Sequence, residues 1–557
     1  MTETRNAQVK DEFATSVREA AFGPMPTKMI DYFRTLAKVE ELAAGTELYV
    51  AGGDRYDFFV VLSGKIEILD GSEDGDGLIG IATENAFLGE LGLLSGQTPF
   101  LTCRVVEDAC VLRLDAQELR RAINEVPEVG DVIVSAFSAR REILMKAATA
   151  NLTILGPEGN GNVMRAMEFA TRNRIPHRWL DSRSGTGARM VERLSLDPDD
   201  ISVVLRGDQV VQTPDNPGIA WALGMNLEVD DGITADLAVI GAGPGGLAAS
   251  VYGASEGLDT ITVENTAIGG QAGTSSRIEN YMGFPTGISG SDLAYRGQIQ
   301  SIKFGARFAA PRSVRGLEKT AAGWRIKLCN GNDICAKAIV VATGVQYRRL
   351  PLDRLEEFEG AGVYYAATEL EARFCKNTEV VVVGGGNSAG QAAMFLSRHA
   401  KHVHVVIRGA SLRDTMSNYL LQRLESDPRI TIHPFTEVDR LDGDTSLESL
   451  TLRDNRSGET RPVESRGLFI MIGAAPHTEW LADQCALDEK GFIRTGPEVG
   501  GRTPFESSCP GIFAIGDVRA GSVKRVASAV GEGSVVVSAV HQHIAALNEE
   551  QEYQGAV

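Results

Sequence analysis

The chain has 557 residues, 43% of them apolar, which suits three or four folded domains with several apolar cores and excludes a disordered polymer. A formal charge of −19 leaves no basic face from which phosphate counterions could be released, so nucleic acid is excluded as a general partner. Seven cysteines, at 103, 110, 329, 335, 375, 485 and 509, form no C-x-x-C pair and no zinc-like spacing, as expected in a reducing cytoplasm and without a metal site.

The opening MTETRNAQVKDEFATS is polar and mixed in charge, with no apolar run for secretion. From about residue 27 to 115, alternating runs such as FFVVLSGKIEIL predict a small β-barrel or jelly roll, with Ser63-Gly64 turning one strand into the next. Residues 115–148 switch to helical spacing in DAQELRRAINEV and VIVSAFSARREILMKA, with a break at Pro127. Segment 1–148 resembles the cyclic-nucleotide-binding domain family through FFVVLSGKIEIL and FLGELGLLSGQ at 87–97. In that family the Glu of G-E-L takes the ribose hydroxyl, and an Arg roughly ten residues after the first Gly pairs with the cyclic phosphate. Gly89 and Glu90 fit, but Pro99 and Phe100 stand where the Arg is needed, and Arg104 falls too late. Losing that charge-assisted bond costs on the order of a hundredfold in affinity, so weak or absent cyclic-nucleotide binding is expected, with a role in assembly or docking.

Segment 149–228 reads strand (LTIL), helix (VMRAMEFATRNR), strand (HRWLD), helix (GARMVERL), two strands (ISVVL, QVVQ) and a last helix (GIAWALG). In order and length it resembles a thioredoxin or glutaredoxin fold, yet GPEGNGN follows its first strand where those proteins carry their cysteine pair. The resemblance implies a docking or structural domain with no thiol chemistry of its own.

From about residue 232 a strand, glycine turn and helix are met twice, the signature of doubly wound nucleotide-binding sheets. Leu237 to Ser255 is uncharged, but its glycines and Pro244 mark a turn motif, not a membrane span. In the first turn, Gly241 permits the bend, Gly243 lets backbone approach a pyrophosphate, and Gly246 lets the helix lie close to its strand. Glu264, 23 residues after Gly241 and just past a second strand, can accept bonds from ribose hydroxyls. The second turn supplies Gly384, Gly386, Asn387, Ser388 and Ala389. Arg408 stands 24 residues after Gly384, with Arg413 beyond it, and two guanidinium groups there suit the 2′-phosphate of NADPH. Near the end, GIFAIGDV closes on Gly516-Asp517 before a helical run; the Asp517 carboxylate can bond ribitol hydroxyls, and the helix start can face a flavin's pyrimidine oxygen.

In order, GAGPGG with Glu264, IGGQAGTSSRIENYMGFP, VVATG, VVVVGGGNSAG, GAAPHTEWL and GIFAIGDV resemble the low-molecular-weight branch of the thioredoxin reductase family. That resemblance implies a cytoplasmic homodimer, FAD on the first turn and the terminal segment, and NADPH on the second. It places Gly270, Gln271, Asn280, Arg525, Val526 and Ala527 along the FAD, and Arg408 and Arg413 at the NADPH phosphate. Expected spans are 229–352 and 487–557 for the FAD domain and 353–486 for the NADPH domain. Two departures show: Val526 where the family often has Gln, and Gln391 where it often has Glu. A third departure is chemical, because the family's C-A-T-C is replaced by Ala366-Ala367-Thr368-Glu369. Cys375, nine residues before Gly384, is too close to the strand to replace either thiol, and Cys329 and Cys335 are expected on an outlying hairpin. The sequence therefore predicts an NADPH oxidoreductase whose reduced flavin serves an external protein or small-molecule acceptor. The alternatives are a disulfide reductase using a partner's thiols and a non-catalytic FAD and NADPH sensor.

Overall fold

The computed structural model describes residues 19–555 apart from 54–55, 71–76, 90, 96, 148–151, 206–208, 224, 226–231, 276–277, 279, 366, 368, 414 and 482–483. At the front, strands Lys38–Leu42, Thr102–Leu114, Phe58–Leu69 and Leu78–Ala82 form an antiparallel barrel sheet in that order. The expected turn at Ser63-Gly64 is instead a bulge within one strand of 12 residues. Gly64 bends there at φ +90 without leaving the ladder, which runs from Phe58 opposite Leu114 to Leu69 opposite Thr102. Asp115 caps the helix Ala116–Glu125 by accepting from the Gln117 and Glu118 amides at 2.8 Å, and Pro127 opens the next helix, Pro127–Ala147.

Next come strands Leu152–Gly156 and His177–Asp181 in parallel, with Ser202–Leu205 and then Gln209–Gln212 added antiparallel on the other side. Helix Gly161–Arg172 leaves the first of these strands, its start capped by Asn160, which accepts from the Asn162 amide at 2.8 Å.

Two seven-stranded sheets follow. In the first, Arg307–Ala309, Thr260–Val263, Ile233–Ile240, Asp333–Val341 and Ile512–Ala514 run parallel, and the hairpin Val314–Thr320 and Gly323–Leu328 extends it through Asp333–Val341. In the second, Ile430–His433, His402–Val406, Glu379–Val383 and Thr460–Ile470 run parallel, with a three-stranded meander at the far edge. The modules are joined by a ribbon in which Val345–Tyr347 pairs with Ala474–Pro476. Because the chain crosses back there, Leu481 and Cys485 are buried in the core of the first sheet, ahead of the boundary expected at 486. Among the described residues no helix is long and apolar enough to cross a membrane, and no cluster of His, Cys, Asp and Glu could hold a metal.

One face of the second sheet carries polar groups. His404 lies 3.0 Å from both His433 and the Glu379 carboxylate, and His402 bonds Thr431 at 2.8 Å. Burial, then the neighbouring His404, Arg461 and His402, lowers the His433 pKa from 6.5 to about 4. Between those values the unfolded chain binds a proton that the folded one refuses, so stability is full above pH 6.5 and falls as pH drops towards 4. Denaturant melts should lose stability between pH 7 and 4.5 through this group, and His433→Gln should flatten the loss.

Candidate nucleotide-binding and electron-transfer site

The two glycine turns have the same geometry. Gly241 sits at φ +104, where a β-carbon would meet the Ala342 carbonyl oxygen at 2.5 Å, and Gly384 sits at φ +146, where one would meet that of Met471 at 2.2 Å. Gly243 and Gly386 stand immediately before the helices Pro244–Ser255 and Asn387–Leu396, and a β-carbon at either would find no atom within 4 Å. Each turn thus presents bare backbone at the positive end of a helix, a cradle that fits a pyrophosphate.

Glu264 is buried at 7% exposure, and its two carboxylate oxygens accept from the Ala242 amide at 2.9 Å and the Thr266 amide at 3.0 Å. The charge is thereby fixed beside the first cradle, with lone pairs left for ribose hydroxyls. Gly270 passes over the cradle, where a β-carbon would lie 3.0 Å from the Gly243 α-carbon. Gln271 donates to the Val345 carbonyl at 3.2 Å, tying this loop to the ribbon, and Asn280 is exposed.

The terminal segment forms a second wall. Strand Ile512–Ala514 ends in a short 3-10 turn at Gly516–Val518, where the Gly516 amide donates to Glu532 at 2.6 Å and Glu532 pairs with Arg519. Burial pushes the Asp517 carboxyl up from its usual range, opposed by the charge of Lys524 and reinforced by Glu532. A desolvated carboxylate of this kind fits a site completed by hydroxyl donors. Lys524 donates to the Asp517 carbonyl and lies 4.4 Å from the Phe492 ring centroid. Arg525 and Ala527 are exposed and Val526 half-buried at the start of the helix Val526–Gly555. Glu532 and Lys524 escaped sequence reasoning because they act through backbone groups and follow no fixed spacing.

In the second module Asn387 accepts from the Ser417 amide at 2.8 Å, Ser388 is exposed and Ala389 is fully buried against the core. Arg408 and Arg413 are exposed in the loop beyond strand His402–Val406, past the end of the sheet from which the turn also emerges.

No thiol takes the place of the absent C-A-T-C. Ala366 and Thr368 lie outside the described residues, as does the side chain of Glu369. Cys375 is fully buried, and burial pushes its thiol up to about 12. Cys485 is buried with its thiol likewise up to about 12, Cys509 donates to the Gln484 carbonyl, and Cys329 and Cys335 flank the turn of the hairpin Gly323–Leu328 and Asp333–Val341.

In the barrel, Glu90 lies outside the described residues. Pro99 and Phe100 line an apolar cavity with Tyr49, Ile68 and Leu144, and Arg104 is paired with Glu67 at 2.6 Å. A different arginine reaches the cavity: Arg140, 8% exposed, donates to the carbonyls of Ala21 at 2.7 Å, Gly89 at 2.6 Å and Phe87 at 3.0 Å. Its guanidinium is committed to the backbone, 4.4 Å from the Phe87 ring centroid.

Comparison with known proteins gives two matched regions. Residues 235–533 match the family described as pyridine nucleotide-disulphide oxidoreductase, and residues 39–126 match the cyclic nucleotide-binding domain. The chain is 35% identical over 315 residues to thioredoxin reductase of Streptomyces clavuligerus, covering 56% of this chain and 95% of that one. It is 34% identical over 312 residues to thioredoxin reductase of Treponema pallidum, covering 56% and 98%. Among solved structures, Lactococcus lactis thioredoxin reductase in its FR conformation aligns at TM-score 0.52 and 28% identity over 56% of this chain and 99% of that one.

Two outcomes follow from this geometry. Glu264→Ala should strand the buried Ala242 amide and the half-buried Thr266 amide and lower stability by about 2 to 3 kcal/mol in denaturant melts, whereas Glu264→Gln, which keeps an acceptor, should cost less. Calorimetric titration of the whole protein with cyclic AMP or cyclic GMP should give no micromolar binding.

Proposed function

The chain belongs to the pyridine nucleotide-disulphide oxidoreductase family, and on that premise we propose a thioredoxin-reductase-like, NADPH-dependent FAD oxidoreductase whose electrons leave directly to an acceptor outside the chain. The thioredoxin reductases it resembles use FAD and NADPH. The observation that carries the reading is Cys375: it is the one sulfur near the position of the family's thiol pair in sequence, and it is sealed in a core with its thiol held protonated. Bound here, FAD would supply the redox chemistry between NADPH and the acceptor.

The chain's own residues bind, orient and polarise. Gly241, Gly243 and Gly246 shape the backbone for the FAD pyrophosphate, Glu264 orients the ribose, and Gly270, Gln271 and Asn280 line the path beyond. Gly516 and Asp517 would hold the ribitol, the Asp517 carboxylate being able to accept from its hydroxyls. The amides at Arg525, Val526 and Ala527 would offer a bound flavin ring the positive end of a helix, which main-chain donors can do despite the absence of the family's Gln. Gly384, Gly386, Asn387, Ser388 and Ala389 form the NADPH cradle, and Arg408 and Arg413 take its 2′-phosphate. The working unit is a cytoplasmic homodimer, with the barrel serving assembly or docking and the thioredoxin-like segment 149–228 serving a docking or structural role.

Anaerobic NADPH should bleach the flavin band at about 450 nm, and thioredoxin, ferredoxin, a quinone or oxygen, added in turn, should reveal the oxidant by restoring it. A spectrum unchanged with NADPH bound would replace the enzyme with a sensor. Acceptor turnover that requires added partner thiols would favour the disulfide-reductase alternative. Arg408→Ala should raise the KM for NADPH roughly tenfold or more while leaving that for NADH within about twofold, because only the former loses a charge-assisted phosphate bond.

A further inference from the structure

The thiol-free segment 149–228 touches both nucleotide-binding modules through opposite ends of one helix. At the carboxyl end of Gly161–Arg172, Arg172 donates to the Gly270 carbonyl at 3.4 Å, Asn173 to the Thr266 carbonyl at 3.3 Å, and Arg174 pairs with Asp292. All three acceptors belong to the first module. At the amino end two glycines meet: a β-carbon at Gly161 would lie 3.1 Å from the Glu359 carbonyl oxygen, and one at Gly360 would lie 3.2 Å from that of Gly161. A β-carbon at Gly159, on the turn that replaces the cysteine pair, would lie 3.6 Å from the Ser446 β-carbon. Glu359 and Ser446 belong to the second module.

The ribbon that also joins the modules is slender, three residue pairs, and two-stranded ribbons are marginally stable alone. Glu359 gathers the contacts around it. Its carboxylate accepts from Tyr365 at 2.6 Å and Arg349 at 2.9 Å, and Tyr365 stacks on Tyr347 of the ribbon at 5.7 Å and 12°. Helix, ribbon and Glu359 therefore meet at one place, and a helix of 12 residues spans about 18 Å between its two attachments.

We infer that segment 149–228 is a strut that holds the two nucleotide-binding modules in one fixed relation, so that this chain works without rotation of one module against the other. A dithiol-bearing turn would have to stay exposed to exchange with a partner, and GPEGNGN is free to be spent on contact because it has no thiol to present. The inference rests on the proposed function only for what the two modules carry.

The test is a disulfide across the amino-end contact in the full-length protein. A separation of 3.6 Å between β-carbons suits a disulfide. Gly159→Cys with Ser446→Cys should cross-link on addition of diamide, mapped by peptide mass spectrometry, with rates equal within about twofold with and without NADP+. Absence of the link, or a rate changed tenfold by the nucleotide, would overturn the strut. Hydrogen exchange gives a second measurement at the far end of the helix. Asn173→Ala with Arg174→Ala should raise exchange at least tenfold at residues 157–162 and 359–361, and unchanged exchange at both would equally overturn it. Neither readout depends on flavin reduction, so failure of the strut and failure of the oxidoreductase reading are separable.

Discussion

A single methyl group at position 246 would stand 1.8 Å from the Gly241 carbonyl oxygen, and everything downstream depends on that approach being possible. It lets the helix Pro244–Ser255 start hard against its strand, aims bare amides at the open space beside Gly243, and brings the Ala242 amide to Glu264. The same helix is pressed from behind by Val526–Gly555: a β-carbon at Gly533 would lie 2.4 Å from the Gly245 carbonyl oxygen. Close backbone packing thus sets the positions of Glu264 and of the Gly516 turn together, across a sheet assembled from chain segments nearly three hundred residues apart, from Ile233–Ile240 to Ile512–Ala514.

Much of this was legible in the residue pattern because glycine requirements are local. Gly241, Gly243 and Gly246, and their counterparts in the second turn, follow from the backbone conformation demanded there. What was not legible depended on long-range contact. Ser63-Gly64 has the composition of a turn, but the barrel sheet continues past it, because pairing with Thr102–Leu114 outweighs the local preference. The crossing back at Ala474–Pro476 leaves no mark in composition, so Leu481 and Cys485 were expected with the wrong module. Glu532 and Arg140 were hidden for the same reason: each serves backbone groups far away in sequence.

The barrel encloses an apolar cavity and turns its charged groups to other partners. At the position where the resemblance expects a phosphate-binding arginine, Phe100 adds apolar surface, and Arg104 is paired with Glu67. Arg140 sends its charge instead into three main-chain carbonyls, closing the end of the cavity next to Gly89. A buried guanidinium satisfied in this way is a structural fastener, and displacing it would leave several acceptors without donors.

The front domain is also not a detachable ornament. Ile302 is buried in the same core as Phe33, Phe58 and Phe137 of the barrel, with Tyr295, Ile299 and Phe308 packed alongside, and Lys303 reaches Asp131 at 2.6 Å across the seam. Cutting the chain ahead of residue 232 would lay this greasy patch of the catalytic half open to water. The excised half would then be prone to clump, so recombinant preparation of the reductase portion alone calls for resurfacing at those four positions.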